Sequence, residues 1–182
     1  MPDQRPLLPA LLALQPLNDL PRTGWILRGI AAPESVGDHV LSTAFVALAL
    51  APRVEPQLDL ARVLGLALVH DVPEALTGDL PRSASSLLPD GAKAAMEREA
   101  ARRLLDPIGA DSLDLWREYA AAATREARFV RVCDRLQLGL RLAAYVRSGR
   151  KGLHEFRATV AALDCSEFAA AARLKDEILA AT

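Results

Sequence analysis

Helical patterns fill almost the whole sequence, and they limit the fold more than any other feature does. Apolar residues recur at helical spacing in seven segments, whereas no stretch of useful length alternates apolar and polar residues as a half-buried strand does. The segments cover residues 35–51, 58–71, 90–106, 112–122, 124–149, 151–163 and 165–181. This pattern predicts an all-α fold of about six to eight helices.

Capping and helix-breaking residues mark the ends of these segments. Ser35, Asp59 and Thr124 stand where the first turn of a helix needs a side-chain acceptor. Pro107 stops one segment, and Gly149 follows another in the way that a helix C-terminus favours. Gly and Pro are concentrated in three predicted loops, which frequently carry functional residues. These loops are PRTGW (21–25), IAAPES (30–35) and TGDLPRSASSLLP (77–89).

The composition is that of a globular protein and argues against a nucleic-acid polymer as a partner. The chain has 182 residues, of which 51% are hydrophobic, and we expect residues 1–182 to form a single domain. Its 22 Lys and Arg residues balance 23 Asp and Glu residues, so the net charge is −1. Such a balance provides no broad basic surface for the phosphates of a polymer, although one small anion could bind locally.

Cysteine usage and hydropathy predict a cytoplasmic protein that does not associate with a membrane. Cys133 and Cys165 are too few for a disulfide framework, and we interpret them as buried thiols in a reducing compartment. The longest apolar run, residues 44–51, is far shorter than the roughly 20 residues that cross a bilayer. Residues 7–17 resemble the core of a signal peptide, but two prolines interrupt them, so we do not expect a removed leader.

Ionisable residues are concentrated in LVHDVPEALTGDLP (68–81), at the end of an apolar helical segment. His70 and Asp71 are neighbours whose side chains would diverge on a helix by about 100°, which suits two ligands of one ion. Glu74 follows within one turn, and Asp79 comes after a glycine in a predicted loop. Pro73 removes a backbone donor, and if it breaks the helix, Glu74 starts a new turn and its placement on the same face is weakened. A histidine at a helix end is otherwise capped or solvated, so this segment alone leaves both interpretations open.

Two more ionisable residues lie in other apolar segments, His39 in 35–51 and Asp134 in 124–149. A core histidine can be satisfied by hydrogen bonds, but a carboxylate is rarely buried without a partner. A cation shared by all three segments would explain these residues together. Imidazole and carboxylate ligands suit a divalent manganese, cobalt, iron or zinc ion better than calcium. Four such ligands on an octahedral ion would leave positions open for water and substrate, as in a catalytic site.

Five motifs carry a resemblance to a known family. They are PRTGW (21–25), PESVGDH (33–39), ALVHDVPEALTGDLP (67–81), LWREY (115–119) and EARFVRVCDRLQL (126–138). In this order and approximate spacing they resemble the HD-domain metal-dependent phosphohydrolases, in the branch that contains the 5′-deoxynucleotidases. The resemblance covers most of residues 14–165. It implies a compact helical HD domain that hydrolyses deoxyribonucleoside 5′-monophosphates to nucleoside and phosphate.

The resemblance also implies a role for each matching residue. Glu74 would position or deprotonate the attacking water, and Asp79 would assist near the sugar and the leaving oxygen. Arg22 would bind the phosphate, and Trp25 would border the deoxyribose and exclude a 2′-hydroxyl. Packing in the core is the alternative role for Trp25, which here is separated from Arg22, whereas some family members have the two adjacent. The implied metal ligands are His39, His70, Asp71 and Asp134.

The chemistry of these residues supports the implied reaction but leaves other functions open. Phosphate-ester hydrolysis needs an activated water and neutralised phosphoryl oxygens, which a divalent ion and Arg22 can supply. The alternatives are an HD phosphohydrolase acting on another nucleotide or phosphate ester, and a catalytically silent helical module. Glu74 and Asp79 argue against the silent module, because a structural ion would not need them. Family members often pair, and segments 124–149 and 166–181 have apolar surface to spare, so we expect a homodimer.

Overall fold

The computed structural model describes residues 6–182, and this part of the chain contains helices but no β-strand. Besides one 3-10 helix, Ala51–Arg53, it contains twelve α-helices. These are α1 (Leu7–Leu12), α2 (Pro16–Asp19), α3 (Thr23–Ile26), α4 (Val36–Leu50), α5 (Leu60–Val69), α6 (Glu74–Thr77), α7 (Arg82–Ser85), α8 (Ala92–Leu105), α9 (Ala110–Ala121), α10 (Arg125–Arg147), α11 (His154–Ala161) and α12 (Ala169–Ala180). The predicted all-α class is confirmed.

The seven predicted segments correspond to the seven described helices of eight or more residues, namely α4, α5 and α8 to α12. The described residues also form five helices of four to six residues, so the helices outnumber the expected six to eight. A single helical turn is too short to produce a periodic apolar pattern, which is why the sequence did not indicate them. Two of them, α3 and α7, lie in segments that we expected to be loops.

Side-chain caps fix where the longer helices begin. Ser35 Oγ accepts a hydrogen bond from Asp38 N (3.0 Å), and Asp38 Oδ2 accepts one from Ser35 N (2.9 Å), which forms a capping box at the start of α4. Asp59 and Thr124 cap α5 and α10 with a single side-chain acceptor each, as predicted. Each cap stabilises its helix by about 1 kcal/mol. The box at α4 sets the register of the turn that carries His39.

Helix α10 lies at the centre of the fold and contacts α4, α5, α9, α11 and α12. Apolar residues are therefore buried on several of its sides, among them Phe129, Val130 and Leu136. A side-chain carbon at Gly139 would lie 3.0 Å from Ile178 on α12, so glycine allows this helix to pack closely. This arrangement brings α4, α5 and α10, the three helices that carry the predicted metal ligands, against one another.

A separate buried cluster forms where the segment before α4 packs on the C-terminal half of α10. It consists of Trp25, Ile30, Leu138, Leu142, Tyr145 and Leu153, with Phe156 packed against it, and is called the Trp25 cluster below. The indole of Trp25 is only 1% exposed and meets the ring of Phe156 at a centroid distance of 4.0 Å. The Trp25 cluster anchors the loop that also carries Arg22.

Two expectations about composition can be compared with the described residues. Cys133 and Cys165 are both free and buried, as the sequence predicted. Within residues 6–182, no helix has the length and hydropathy that a membrane crossing requires. Even α10, the longest of these helices, carries too many charged side chains for that role.

Candidate metal centre

Four ionisable side chains from three core helices meet at one place, called the metal centre below. His39 projects from the first turns of α4, and His70 and Asp71 follow the last residue of α5. Asp134 lies midway along α10. The two imidazoles are buried, whereas the side chains of Asp71 and Asp134 are 20% and 15% exposed. The centre therefore lies at the floor of an opening to solvent.

Three of these side chains, His39, His70 and Asp71, place their ligand atoms close enough to share one ion, and Asp134 adjoins His39. His39 Nε2 lies 3.3 Å from His70 Nε2, 3.4 Å from Asp71 Oδ2 and 3.1 Å from Asp134 Oδ1. His70 Nε2 lies 3.4 Å from Asp71 Oδ2. Two donors bound at about 2.1 Å and at right angles to one ion are about 3.0 Å apart. The observed separations thus fit neighbouring ligands of one ion. The ligand atoms of His39, His70 and Asp71 all lie within 4.8 Å of one another.

Hydrogen bonds on the far side of each imidazole set its tautomer. His39 Nδ1 lies 2.5 Å from the amide oxygen of Gln137, and His70 Nδ1 lies 2.7 Å from the carbonyl oxygen of Ala67. Because both of these oxygens can only accept, each Nδ1 must donate its proton. In the neutral rings, both Nε2 atoms then present lone pairs to each other and to the carboxylates. Such a set of converging acceptors fits a divalent ion, which removes their mutual repulsion.

The charges of the centre favour a cation as well. Burial lowers the pKa of His70, but the carboxylates of Asp71 and Asp134 outweigh burial and raise this pKa to about 9. Burial raises the pKa of Asp71, but the two imidazoles and Arg22 hold it well below its usual range. A positive charge between these residues is therefore strongly favoured, and a metal ion would bind there in competition with a proton.

Glu74 enters the site from a new turn rather than from α5. Helix α5 ends at Val69, and α6 begins at Glu74 with Pro73 as its N-cap residue, so the helix is interrupted before the proline. Glu74 Oε2 is buried, and the described residues provide it with no hydrogen-bond partner. Burial and the charges of Asp71 and Asp79 raise the pKa of Glu74 to about 9. With no metal ion beside it, this carboxyl group therefore keeps its proton at neutral pH.

Arg22 reaches the metal centre from the loop before α3. Its Nη1 donates to Asp71 Oδ2 at 3.3 Å, and its side chain is 16% exposed. Burial lowers the pKa of Arg22, but Asp71, Asp134, Asp79 and Glu74 raise it above its usual value. A permanently charged guanidinium thus faces the same opening as the predicted ligands.

Asp79 holds the loop that carries Arg22. Its Oδ2 accepts a hydrogen bond from the backbone N–H of Thr23, and its backbone oxygen accepts one from Thr23 Oγ1 (2.8 Å). Asp79 is half-buried and close enough to influence both Glu74 and Arg22 electrostatically. The structure thus places Asp79 beside the predicted site, where one of its oxygens is engaged in positioning the loop.

Trp25 lies apart from the opening, inside the Trp25 cluster. Its ring packs on Tyr145 and Phe156, and its Nε1 donates to Glu34 Oε1 at 3.0 Å. An indole that is 1% exposed offers almost no surface to a substrate. The burial of Trp25 therefore favours the packing role, which was the alternative interpretation of this residue, over contact with a deoxyribose.

Three polar residues near the site had no role in the sequence interpretation. Tyr119 packs against His70 with ring centroids 5.4 Å apart, and Glu34 and Gln137 form buried hydrogen bonds behind His39. The signal that pointed to Asp134, a polar residue in an apolar helical segment, applies equally to Gln137 one turn later. Glu34 lies in a predicted loop, where a buried carboxylate leaves no such signal.

Glu118 and the arginines of α10 have structural partners. Glu118 accepts a hydrogen bond from Arg62, whose Nε lies 2.9 Å from Oε1. Arg128 pairs with Glu167 on the surface. Arg135 approaches Asp134, with Nε 3.7 Å from Oδ2. Arg131 instead lies over the ring of Tyr119.

Most of the chain matches a known domain family. A family model described as the HD domain matches residues 14–171. The chain belongs to the HD-domain family. The match includes all four side chains of the metal centre, so the ordered motifs of the sequence and the family model agree.

Several proteins similar to this member of the HD-domain family carry functional names. The Homo sapiens protein named 5′-deoxynucleotidase HDDC2 is 32% identical over 145 residues, which cover 78% of this chain and 69% of that protein. The Vibrio cholerae protein named 5′-deoxynucleotidase is 32% identical over 149 residues, which cover 77% of this chain and 75% of that protein.

Solved structures resemble the fold over almost its entire length. A crystal structure of a Pyrococcus horikoshii OT3 protein has a TM-score of 0.83 at 29% identity and covers 96% of this chain and 99% of that one. A Magnetospirillum magnetotacticum MS-1 structure, named a predicted metal-dependent phosphohydrolase, has a TM-score of 0.66 at 25% identity and covers 96% and 94% of the two chains.

Proposed function

We propose that this chain is a divalent-metal-dependent phosphohydrolase that removes the 5′-phosphate from deoxyribonucleoside monophosphates. The observation that carries the proposal is the convergence of His39, His70 and Asp71 within 4.8 Å, with Arg22 bonded to Asp71 at the same opening. The names of the relatives support the choice of substrate, since those proteins are called 5′-deoxynucleotidases. Phosphate-ester hydrolysis needs the two things that this site offers, a place for a metal ion and a fixed cation.

The ion in this proposal is held by the four residues of the metal centre. Nitrogen and carboxylate ligands favour manganese, cobalt, iron or zinc. A divalent ion bound there would polarise the phosphate and lower the pKa of a coordinated water. The ligands His39, His70, Asp71 and Asp134 come from three packed helices, so the protein holds them in place before substrate arrives.

Arg22 binds the phosphate in this mechanism. A guanidinium has five N–H donors in one plane, and the contact of Nη1 with Asp71 leaves others for phosphoryl oxygens. That contact also orients the group toward the metal centre. Asp79 supports Arg22 indirectly by bonding Thr23, and we propose that it also lies near the sugar and the leaving 5′-oxygen.

Glu74 carries the proton. Its Oε2 is buried beside Asp71 without a hydrogen-bond partner among the described residues, which leaves it available to an attacking water. A cation near Asp71 opposes the charges that raise the pKa of Glu74, so the ionised form becomes accessible. Glu74 then accepts a proton from the water as the new P–O bond forms, and it passes this proton to the leaving 5′-oxygen as the old P–O bond breaks.

A substrate panel tests this function. The purified protein, freed of metal by a chelator and then supplied with Mn²⁺ or Co²⁺, is incubated with deoxyribonucleoside and ribonucleoside 5′-monophosphates, cyclic nucleotides, nucleoside triphosphates and simple phosphate esters. We expect phosphate release that is fastest with the deoxyribonucleoside monophosphates. Faster turnover of another class would replace the proposed substrate, and no turnover of any class with bound metal would favour the silent helical module.

We also propose a homodimer of single-domain HD chains in the cytoplasm. The described surface that supports pairing lies on α4, where Leu41, Phe45 and Leu48 form a stripe and are each more than 40% exposed. The two free, buried cysteines support a reducing compartment. Light scattering of the wild type and of Phe45→Glu tests the pairing: we expect a dimer and a monomer, respectively, and a monomeric wild type would contradict it.

A further inference from the structure

A chain of buried polar side chains runs from the Trp25 cluster to the back of the metal centre. Trp25 Nε1 donates to Glu34 Oε1 at 3.0 Å, and Gln137 Nε2 donates to Glu34 Oε2 at 2.8 Å. Gln137 Oε1 lies 2.5 Å from His39 Nδ1. Every member of this chain is less than 5% exposed. It links three motifs, PRTGW, PESVGDH and EARFVRVCDRLQL, which the proposed catalytic roles only partly explain.

The carboxylate of Glu34 determines which way the amide of Gln137 points. A carboxylate can only accept hydrogen bonds, so it holds the amide NH₂ toward itself and leaves the amide oxygen facing His39. The reversed amide would place its oxygen against the carboxylate and its NH₂ against the protonated Nδ1 of His39. Both contacts would be repulsive in a site that excludes water, so the reversed arrangement is strongly disfavoured.

The buried carboxylate is itself held in place. Both of its oxygens have donors, from Trp25 and Gln137, and Arg141 Nε lies 3.8 Å from Oε2. The hydroxyl of Tyr145 accepts a weak hydrogen bond from the backbone N–H of Glu34 at 3.4 Å. These partners offset the cost of burying a charge that no solvent reaches. Burying the carboxylate of Glu34 costs free energy, and this carboxylate accepts a hydrogen bond from the amide of Gln137. Packing alone does not explain a charged group at this position.

We infer that Glu34 is a positioning residue that, through Gln137, keeps the proton of His39 on Nδ1 and so keeps Nε2 available to the metal ion. This inference deepens the proposed function and rests on the metal centre on which that function depends. It also gives Trp25 a role that needs no contact with substrate, because its indole N–H and its packing fix Glu34. Hydrogen bonds of this outer kind typically change metal affinity by about 10- to 100-fold.

The first test measures Co²⁺ affinity by competition with a chromophoric chelator. Glu34→Gln retains the shape of the side chain but provides one acceptor oxygen for two donors, so we expect affinity to fall by about 10- to 100-fold. Thr43→Val is the matched control. Thr43 is fully buried on α4, the helix that carries His39, and its hydroxyl has no hydrogen-bond partner within residues 6–182, so we expect unchanged affinity.

An exchange of the two side chains separates positioning from general damage to the core. In the Glu34→Gln/Gln137→Glu double variant, the amide at position 34 accepts from Trp25 and donates to the carboxylate at position 137. That carboxylate still accepts from His39 Nδ1, so every donor has an acceptor again. We expect the double variant to recover most of the Co²⁺ affinity that Glu34→Gln loses.

Histidine NMR of the zinc-loaded proteins provides a readout that a purely structural role would not change. We expect the Nδ1–H resonance of His39 to be protected from solvent exchange in the wild type, broadened in Glu34→Gln and restored in the double variant. Wild-type affinity together with an unchanged resonance in Glu34→Gln would overturn the inference, as would a double variant no better than Glu34→Gln. Should Glu34→Gln not fold, the affinity and resonance of the double variant decide alone. A wild type that binds Co²⁺ but releases no phosphate would remove the proposed reaction and leave these results intact.

Discussion

The metal centre and the Trp25 cluster both include residues of α10, yet their polar atoms have opposite surroundings. In the Trp25 cluster, the indole N–H has an acceptor, Glu34, and the remaining surface is apolar. In the metal centre, the two Nε2 atoms face each other at 3.3 Å with carboxylates beside them. Both regions are buried, so burial alone does not mark a functional site. Acceptor atoms that face one another and need a cation between them do mark such a site.

Removing a ligand is expected to have the largest effect and tests whether the centre is a metal site at all. His70→Ala should abolish metal binding and lower phosphate release by at least about 1,000-fold, because an ion contributes several kcal/mol to the transition state. Metal content and phosphate release measure both effects. His154→Ala is the matched control, since the third histidine of the chain is exposed on α11 and should affect neither.

Glu74→Ala tests whether Glu74 carries a proton or is a ligand of the metal ion. We expect phosphate release to fall by about 100- to 10,000-fold while metal remains bound. The exposed Glu177 provides a control in Glu177→Ala, which should retain full activity. Loss of the ion in Glu74→Ala would show that Glu74 is a ligand, and the proton would then need another carrier.

Arg22→Lys asks whether the guanidinium binds substrate through its planar geometry. The ammonium keeps the charge but loses the paired donors, so we expect kcat/KM to fall by roughly 10- to 100-fold, which corresponds to the 1.5–3 kcal/mol typical of a charged hydrogen bond. Steady-state kinetics check this expectation, with metal content measured in parallel. Kinetics equal to those of the wild type would remove Arg22 from the phosphate site.

Trp25→Phe tests whether Trp25 borders the sugar or only packs in the core, and we expect it to have the smallest effect on catalysis. The phenyl ring keeps most of the packing with Tyr145 and Phe156 but lacks the indole N–H. We expect the deoxy/ribo ratio of kcat/KM to stay the same and the free energy of unfolding to drop by about 1–3 kcal/mol, because the buried carboxylate of Glu34 loses a donor. A ratio that narrows in this folded, metal-loaded variant would restore Trp25 as the residue that borders the sugar.

The candidate metal ligands could be proposed from the sequence because they conflict with their surroundings. His39 and Asp134 stand out as ionisable groups in apolar helical segments, and the structure brings His39 close to Asp71 and Asp134 close to His39. The caps at Ser35, Asp59 and Thr124 were visible for a similar reason, since each signal is local in sequence.

The contacts that the sequence did not indicate depend on distant parts of the chain. Trp25 lies in a polar loop, and only its packing on Tyr145, far along the chain, shows that it is buried. The bond between Asp79 and Thr23 likewise joins two loops 56 residues apart. The burial of Glu34 depends on α10, which is distant in sequence, so the sequence around Glu34 does not indicate it. Periodicity within one segment carries no information about such pairings.

The most direct test of the central claim follows phosphate release while the metal content of the wild-type protein is varied. The protein is stripped by a chelator, dialysed and titrated with Mn²⁺ or Co²⁺, with a deoxyribonucleoside 5′-monophosphate as substrate. We expect activity to be lost when the metal is removed and to be restored in proportion to the fraction of protein that holds metal, saturating at about one ion per chain. Full phosphate release from protein that contains no metal, or bound metal without any phosphate release, would contradict it.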